Sequence, residues 1–162
     1  MKIAVIGSGS TYTPELIEGL IQNRDTLKVT ELYLMDIDNN KLTIVGGLVV
    51  RMIEKAGLAC KVTMTEDLDE ALTGASYVLA QIRVGRLPAR ILDEKIPLKY
   101  NLIGQETTGI GGFFKALRTI PVIENIAHRM EKFCPDACAA SFFQLEANSC
   151  LSDHRGWVII ND

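Results

Sequence analysis

The sequence predicts a doubly wound parallel α/β sheet, and three observations carry that prediction. Ile3–Ile6 is a short apolar, β-branched run, followed at once by Gly7 and Gly9. Pro14 and Glu15 then open a helical pattern that places Leu16, Ile17, Leu20 and Ile21 on one face. Further apolar runs at 32–35, 60–64 and 77–80 alternate with helical patterns, the order that folds into a parallel sheet with crossover helices. A chain of 162 residues has the size of one domain and can bury a core.

Strand, glycine turn and helix form the arrangement in which backbone N–H groups and a helix N-terminus receive a phosphate. Gly7 and Gly9 are therefore candidate cofactor-binding residues. The third glycine of the usual G-x-G-x-x-G would fall at position 12, where the chain has Tyr12. A bare GxG also marks a tight turn in any α/β domain; its place between strand and helix points to a dinucleotide. The second strand, Leu32–Met35, ends at Asp36, where a carboxylate can hold a ribose 2′-hydroxyl. Asp36 is somewhat further from the turn than the usual ~20 residues, and the 22–30 connection takes up the difference. Within Asp36-Ile-Asp-Asn-Asn40 it could instead start a turn or cap the next helix. In the ribose role it would repel a 2′-phosphate, which prefers NAD to NADP.

A helix is expected from about Lys41 to Lys55, with Leu42, Val45, Val49 and Ile53 at helical spacing and Gly57 as its stop. Cys60–Met64 reads as a third strand, 67–72 as a short helix stopped near Gly74, and Tyr77–Ala80 as a fourth strand. In this architecture ligands collect at the carboxyl ends of the strands, here Gly7–Thr11, Asp36 and Arg83–Arg86. Leu87–Tyr100 reads as a helix with a solvated charged face, disturbed at Pro97. Ile103–Gly112 carries Gly104, Gly109, Gly111 and Gly112, and reads as a flexible polar loop suited to a ligand. The helix 113–133 should kink at Pro121, and His128 on it reads as structural or exposed rather than as a ligand.

Composition excludes several classes. A net charge of −3 and a pI near 5.4 give no electrostatic case for nucleic acid or an anionic membrane. No apolar run approaches the ~20 residues of a membrane span, and the start does not read as a signal peptide. Cys60, Cys134, Cys138 and Cys150 show no CxxC pair and no metal-ligand spacing; they are expected to be reduced thiols of a cytoplasmic protein.

The string Arg83-Val-Gly85, then Ala89–Tyr100, Ile103-Gly-Gln-Glu-Thr-Thr-Gly109 and Ala116-Leu-Arg-Thr-Ile-Pro-Val122 resembles glycoside hydrolase family 4, and most closely its 6-phospho-β-glucosidases. Gly7-Ser-Gly-Ser-Thr-Tyr-Thr-Pro-Glu-Leu16 and Leu32–Asp36 are similar to the same family, which has Ser-x-Tyr-Thr-Pro where other Rossmann-like proteins have the third glycine. The resemblance implies a Rossmann-like domain serving a glycosidase that works by redox and elimination rather than by two carboxylates. It implies that NAD takes hydride from carbon 3 of a 6-phosphorylated β-glycoside, which acidifies the hydrogen on carbon 2. A tyrosine base removes that proton, a divalent metal, usually manganese, stabilises the resulting charge, the leaving group departs, water adds, and the hydride returns. By motif, Gly7, Gly9, Ser10, Thr11 and Asp36 would bind NAD, Arg90 would contact substrate, and Glu106 would tune the tyrosine base. The full-length family is expected to form homo-oligomers.

The resemblance runs from Met1 to about Ala137. Beyond it the family continues with an Asn-Phe-Thr-Asn-Pro motif, whereas this chain has Ser141-Phe-Phe-Gln-Leu145, with Gln144 at the substrate position. Cys150 and His154 are metal-binding residue types in surroundings that do not match, so no metal ligand is assigned. The expectation is a Rossmann-like domain over 1–137, a divergent, irregular tail over 138–162 arising from a frameshift or assembly error, and a missing second domain. Trp157–Ile160 could add a terminal strand. The chain by itself is expected to be an inactive NAD-binding fragment. The alternative reading is an NAD-dependent dehydrogenase of the malate/lactate type, which shares the glycine turn but has no need of Ile103–Gly109.

Overall fold

The computed structural model describes residues 1–106, 108–141 and 157–159. Among them, six strands form one sheet in the order β3-β2-β1-β4-β5-β6, every pairing parallel. The strands are β1 (Lys2–Ile6), β2 (Glu31–Met35), β3 (Lys61–Thr65), β4 (Tyr77–Ala80), β5 (Cys138–Ser141) and β6 (Trp157–Ile159). The helices are α1 (Thr13–Gln22), α2 (Asn39–Lys55), α3 (Leu68–Leu72), α4 (Arg86–Leu98) and α5 (Gly109–Phe133).

The period of two along a strand explains why both faces are covered. In β1, Ile3 and Val5 join Leu32 and Leu34 of β2 under Ile17 of α1 and Leu42, Val49 and Ile53 of α2. Ala4 and Ile6 face the other way, onto Ala71 and Leu72 of α3 and Ile123, Ile126 and Met130 of α5. Central strands buried on both sides carry nearly continuous apolar residues, which made β1, β2 and β4 legible.

Local chemistry fixes the helix starts. Pro14 stands in the first turn of α1, where its missing N–H costs nothing, and Glu15 is placed to meet the positive end of the helix dipole. Asp38 caps α2, its carboxylate accepting from the Lys41 N–H at 3.3 Å. Asp67 does the same for α3, accepting from Asp69 N at 2.9 Å.

Three expectations are corrected, and the terminal strand considered for 157–160 is present over Trp157–Ile159. Gly109–Gly112 are not loop but the first turn of α5, which continues through Pro121 to Phe133. A side chain at Gly104 would collide with the Glu94 carbonyl oxygen, and one at Gly111 with the Gln105 carbonyl oxygen. Those glycines permit close approach of backbone to backbone, an alternative to flexibility that composition does not distinguish. The sheet does not stop at 137: β5 pairs with β4 in register Tyr77↔Cys138 to Ala80↔Ser141, and Ala139 is buried. Small alanines in a buried strand lack the β-branched signal that marks strands in sequence. The segment 157–159 does form a strand, parallel to β5. Finally, the face of α4 read as solvated includes Asp93, which is 3% exposed.

Candidate functional site

The strand order places the topological switch point between β1 and β4, the position where open α/β sheets bind ligands. The carboxyl ends of the strands there carry the Gly7–Thr13 turn, Asp36 and Gln81–Arg86.

The glycine turn is tied to both neighbouring strands. Gly7 N and Ser8 N donate to the Met35 carbonyl oxygen of β2 at 2.8 and 3.0 Å. The Thr13 hydroxyl donates to the Ser8 carbonyl oxygen at 2.8 Å, and the Gln81 side-chain amide beyond β4 donates to that hydroxyl at 2.5 Å. Gly7 has φ +84°, and a Cβ on it would lie 2.8 Å from the Gln81 carbonyl oxygen, so glycine is required on both counts. Gly9 has no space for a side chain either, since a Cβ would meet Asp36 Oδ2 and Lys41 Cβ, each at 2.8 Å. Asp36 accepts from Gly9 N at 2.8 Å and from Asp38 N at 2.9 Å. The cap of α2 is Asp38, so Asp36 instead locks the turn to the end of β2. Ser8 Oγ is buried without a hydrogen-bond partner, a group that sequence reading passed over because serine is ordinary in a glycine turn. Tyr12, which stands in place of the third glycine, is 69% exposed and precedes α1.

Beside this turn lies a pocket lined by five cationic side chains, Arg83, Arg86, Arg90, Lys115 and Arg118, and by two carboxylates, Asp93 and Glu106. Glu106 is the hub. It pairs with Arg83, with Arg90 Nε at 3.1 Å and with Lys115 Nζ at 3.5 Å. Burial pushes its carboxyl group up, but hydrogen bonding to Arg83 and the charges of Arg83, Lys115 and Arg90 together outweigh this and hold it below the usual 4.5. Arg90 also pairs with Glu94 at 2.9 Å; that hydrogen bond, then the Glu106 charge, raises its pKa further. Asp93 is clasped by Arg118 through two bonds of 2.7 and 2.6 Å, and the same guanidinium reaches the Phe114 carbonyl oxygen at 3.1 Å and the Val84 carbonyl oxygen at 3.5 Å. This bidentate clasp fastens α4, α5 and the turn after β4 to one another.

The structure thus brings Gly7, Gly9, Ser10, Thr11 and Asp36 to one corner and Arg90 and Glu106 to the adjacent pocket. Gln144, Cys150 and His154 lie outside the described residues. Asp93, Lys115 and Arg118 were missed as site residues, whereas Arg83 lies in the stretch beyond β4 already read as a ligand position. Lys115 and Arg118 meet the site only once α5 packs on α4. His128 is exposed and lies beside Glu131. Among the described residues no group of three or more His, Cys, Asp or Glu side chains could hold a metal ion, and no helix is long and apolar enough to cross a membrane.

Fold and site together define a Rossmann-like α/β domain with a cationic pocket at its switch point. Family 4 of the glycosyl hydrolases matches residues 2–144, and the chain belongs to that family. The match passes Ala137 and includes β5. A probable 6-phospho-β-glucosidase of Bacillus subtilis (strain 168) is 54% identical over 144 residues, covering 88% of this chain and 33% of the relative. The structure of a 6-phospho-β-glucosidase from Thermotoga maritima, with manganese, NAD⁺ and glucose-6-phosphate, superposes with a TM-score of 0.83 at 43% identity, over 88% of this chain and 34% of that one. The chain therefore spans about a third of the length of these relatives. A lactate dehydrogenase from Cryptosporidium parvum reaches a TM-score of 0.55 at 19% identity, a likeness of fold alone.

Proposed function

We propose that this chain supplies the cofactor- and sugar-phosphate-holding domain of an NAD- and metal-dependent 6-phospho-β-glucosidase. The observation that carries the reading is one juxtaposition: a glycine turn locked to Asp36, directly beside a pocket in which Arg83, Arg90 and Lys115 gather on one carboxylate, Glu106, in a chain of net charge −3. A surplus of guanidinium and ammonium groups in an otherwise acidic protein suits a phosphorylated ligand. The relatives named above act on, or are bound to, 6-phosphorylated sugars.

The residues present fit a dinucleotide. Gly9 lets the turn close directly onto Asp36, where any side chain would strike that carboxylate, and Ser8 offers a buried hydroxyl without a partner. Gly7, Gly9, Ser10 and Thr11 would line the pyrophosphate, and Asp36 would take the ribose hydroxyls, its charge favouring NAD over NADP. When bound, the nicotinamide supplies a reversible hydride acceptor. Arg90 and its neighbours Arg83 and Lys115 hold the anionic substrate. Glu106, kept ionised by those three cations, gathers them at one point and supplies a fixed negative charge next to the reacting sugar, where a base would be strengthened by it. The described residues offer no donor set for manganese.

The chain alone is accordingly a binding unit without turnover. Titration with NAD⁺ and glucose-6-phosphate should show saturable binding of both. Incubation with NAD⁺, Mn²⁺ and a chromogenic 6-phospho-β-glucoside should release no aglycone; robust release would overturn the non-catalytic reading, and failure to bind either ligand would overturn the assignment itself. The same reading places the protein in the cytoplasm, supported by the free thiols of Cys60, Cys134 and Cys138. Leu87, Leu98, Tyr100 and Ile103, all more than half exposed on α4 and the segment after it, support the expectation that the full-length family forms homo-oligomers.

A further inference from the structure

Arg86 connects the two halves of the site. Its guanidinium pairs with Asp38 Oδ2 at 3.0 Å. Arg86 follows β4 and Asp38 follows β2, and both strands are direct neighbours of β1. The ion pair therefore crosses the carboxyl end of β1, a span of roughly two strand spacings, each about 4.8 Å. That is where a dinucleotide must lay its pyrophosphate on the glycine turn.

Two further observations bear on Arg86. The turn beneath the pair is largely satisfied by its own acceptors: Gly9 N donates to Asp36, Ser10 N to the Gly7 carbonyl oxygen and Tyr12 N to the Ser10 hydroxyl. A pyrophosphate arriving there needs positive charge from a side chain. Arg86 also adopts φ +54° immediately after Gly85 at +79°, a left-handed conformation uncommon for a residue with a Cβ. The backbone thus holds an arginine over the crevice in a place that glycine would occupy with less strain. The Arg86 side chain is 57% exposed and that of Asp38 17%, so the pair is open to solvent on the arginine side, where the guanidinium can be drawn to a better anion.

We propose that the Arg86–Asp38 pair is a latch across the dinucleotide crevice, and that Arg86 exchanges the Asp38 carboxylate for the cofactor pyrophosphate on binding. The proposal rests on the dinucleotide reading given above. Arg86 is then a cofactor-binding residue, and Asp38 is its competitor.

The test is the dissociation constant of NAD⁺ for the full chain and for two variants, measured calorimetrically at several salt concentrations. Asp38→Asn keeps a good helix cap but removes the competing charge, and should tighten binding by about two- to fivefold, the worth of an exposed ion pair. Arg86→Gly removes the cation and relieves the left-handed strain; it should weaken binding roughly tenfold, the loss of a charged hydrogen bond, and flatten the salt dependence. Thermal melts check that both variants fold. The opposite signs are diagnostic, because a purely structural tie would move both variants the same way. Equal or unchanged affinities, with wild-type binding intact, overturn the latch and leave the cofactor reading standing. Absence of NAD⁺ binding by both wild type and Asp38→Asn overturns the cofactor reading and the latch with it.

Discussion

Asp36 shows how one carboxylate can serve both fold and ligand. Its two oxygens accept from Gly9 N and Asp38 N, so Asp36→Ala removes two anchors of the turn as well as the proposed ribose contact. NAD⁺ affinity should fall about tenfold, on the scale of a lost charged hydrogen bond, and the melting temperature should fall with it. Unchanged affinity in a fluorescence titration would remove Asp36 from the site. Glu106 makes a pH-dependent contribution. Its folded pKa is depressed, so the stabilisation it provides is complete above the ordinary carboxylate value of 4.5 and is lost as pH falls through the folded value. Glu106→Gln should lower stability at neutral pH, and the difference from wild type should shrink in acid; denaturant melts at pH 7 and pH 3 compare the two.

At the scale of elements, the buried Asp93 carboxylate is the most demanding group. It lies at the junction of α4 with α5, and Arg118 meets it with two hydrogen bonds. Arg118→Met would leave that charge buried and unpaired, at a cost of about 3 kcal/mol, visible as a lower midpoint in urea. Asp93 and Arg118 changed together, to Leu and Met, should recover part of the loss. The glycine turn makes a parallel demand on backbone. Gly7→Ala would force a side chain into a left-handed position 2.8 Å from the Gln81 carbonyl oxygen, costing at least about 1–3 kcal/mol by circular dichroism melts. Arg86→Gly at the neighbouring crossing should have the opposite sign, raising the melting temperature, because the strain there comes from a side chain the backbone would sooner lack.

Across the whole molecule, the sheet order decides what the pocket contains. Sequence named the strand ends after β1, β2 and β4 as ligand positions; the glycine turn and Asp36 stand there, with Arg90 and Glu106 in the pocket alongside. The alternation of buried and less buried strands, the β-branched runs and the glycine-proline punctuation are local signals, so β1 to β4 and the existence of every helix were legible. What was misread had one cause in each instance. The first turn of α5 carries glycines that look like loop because their purpose, contact with the backbone of α4 and its following segment, is visible only after packing. Strand β5 is made of cysteine, alanine and serine, which fit a crowded sheet yet carry little strand preference of their own. Asp93 and Arg118 lie 25 residues apart and each looks like an ordinary surface charge until the helices meet.

By itself the sequence determined the doubly wound α/β class, the family and the corner that suits NAD, because each rests on residues close together along the chain. Only the tertiary structure decided that Arg83, Arg90 and Lys115 converge on Glu106 and Arg118 on Asp93, and that Arg86 reaches Asp38 across β1. Those are encounters between separate crossover units, set by strand order and helix packing. Charge pairing falls off over a few ångströms in space and is indifferent to distance along the chain.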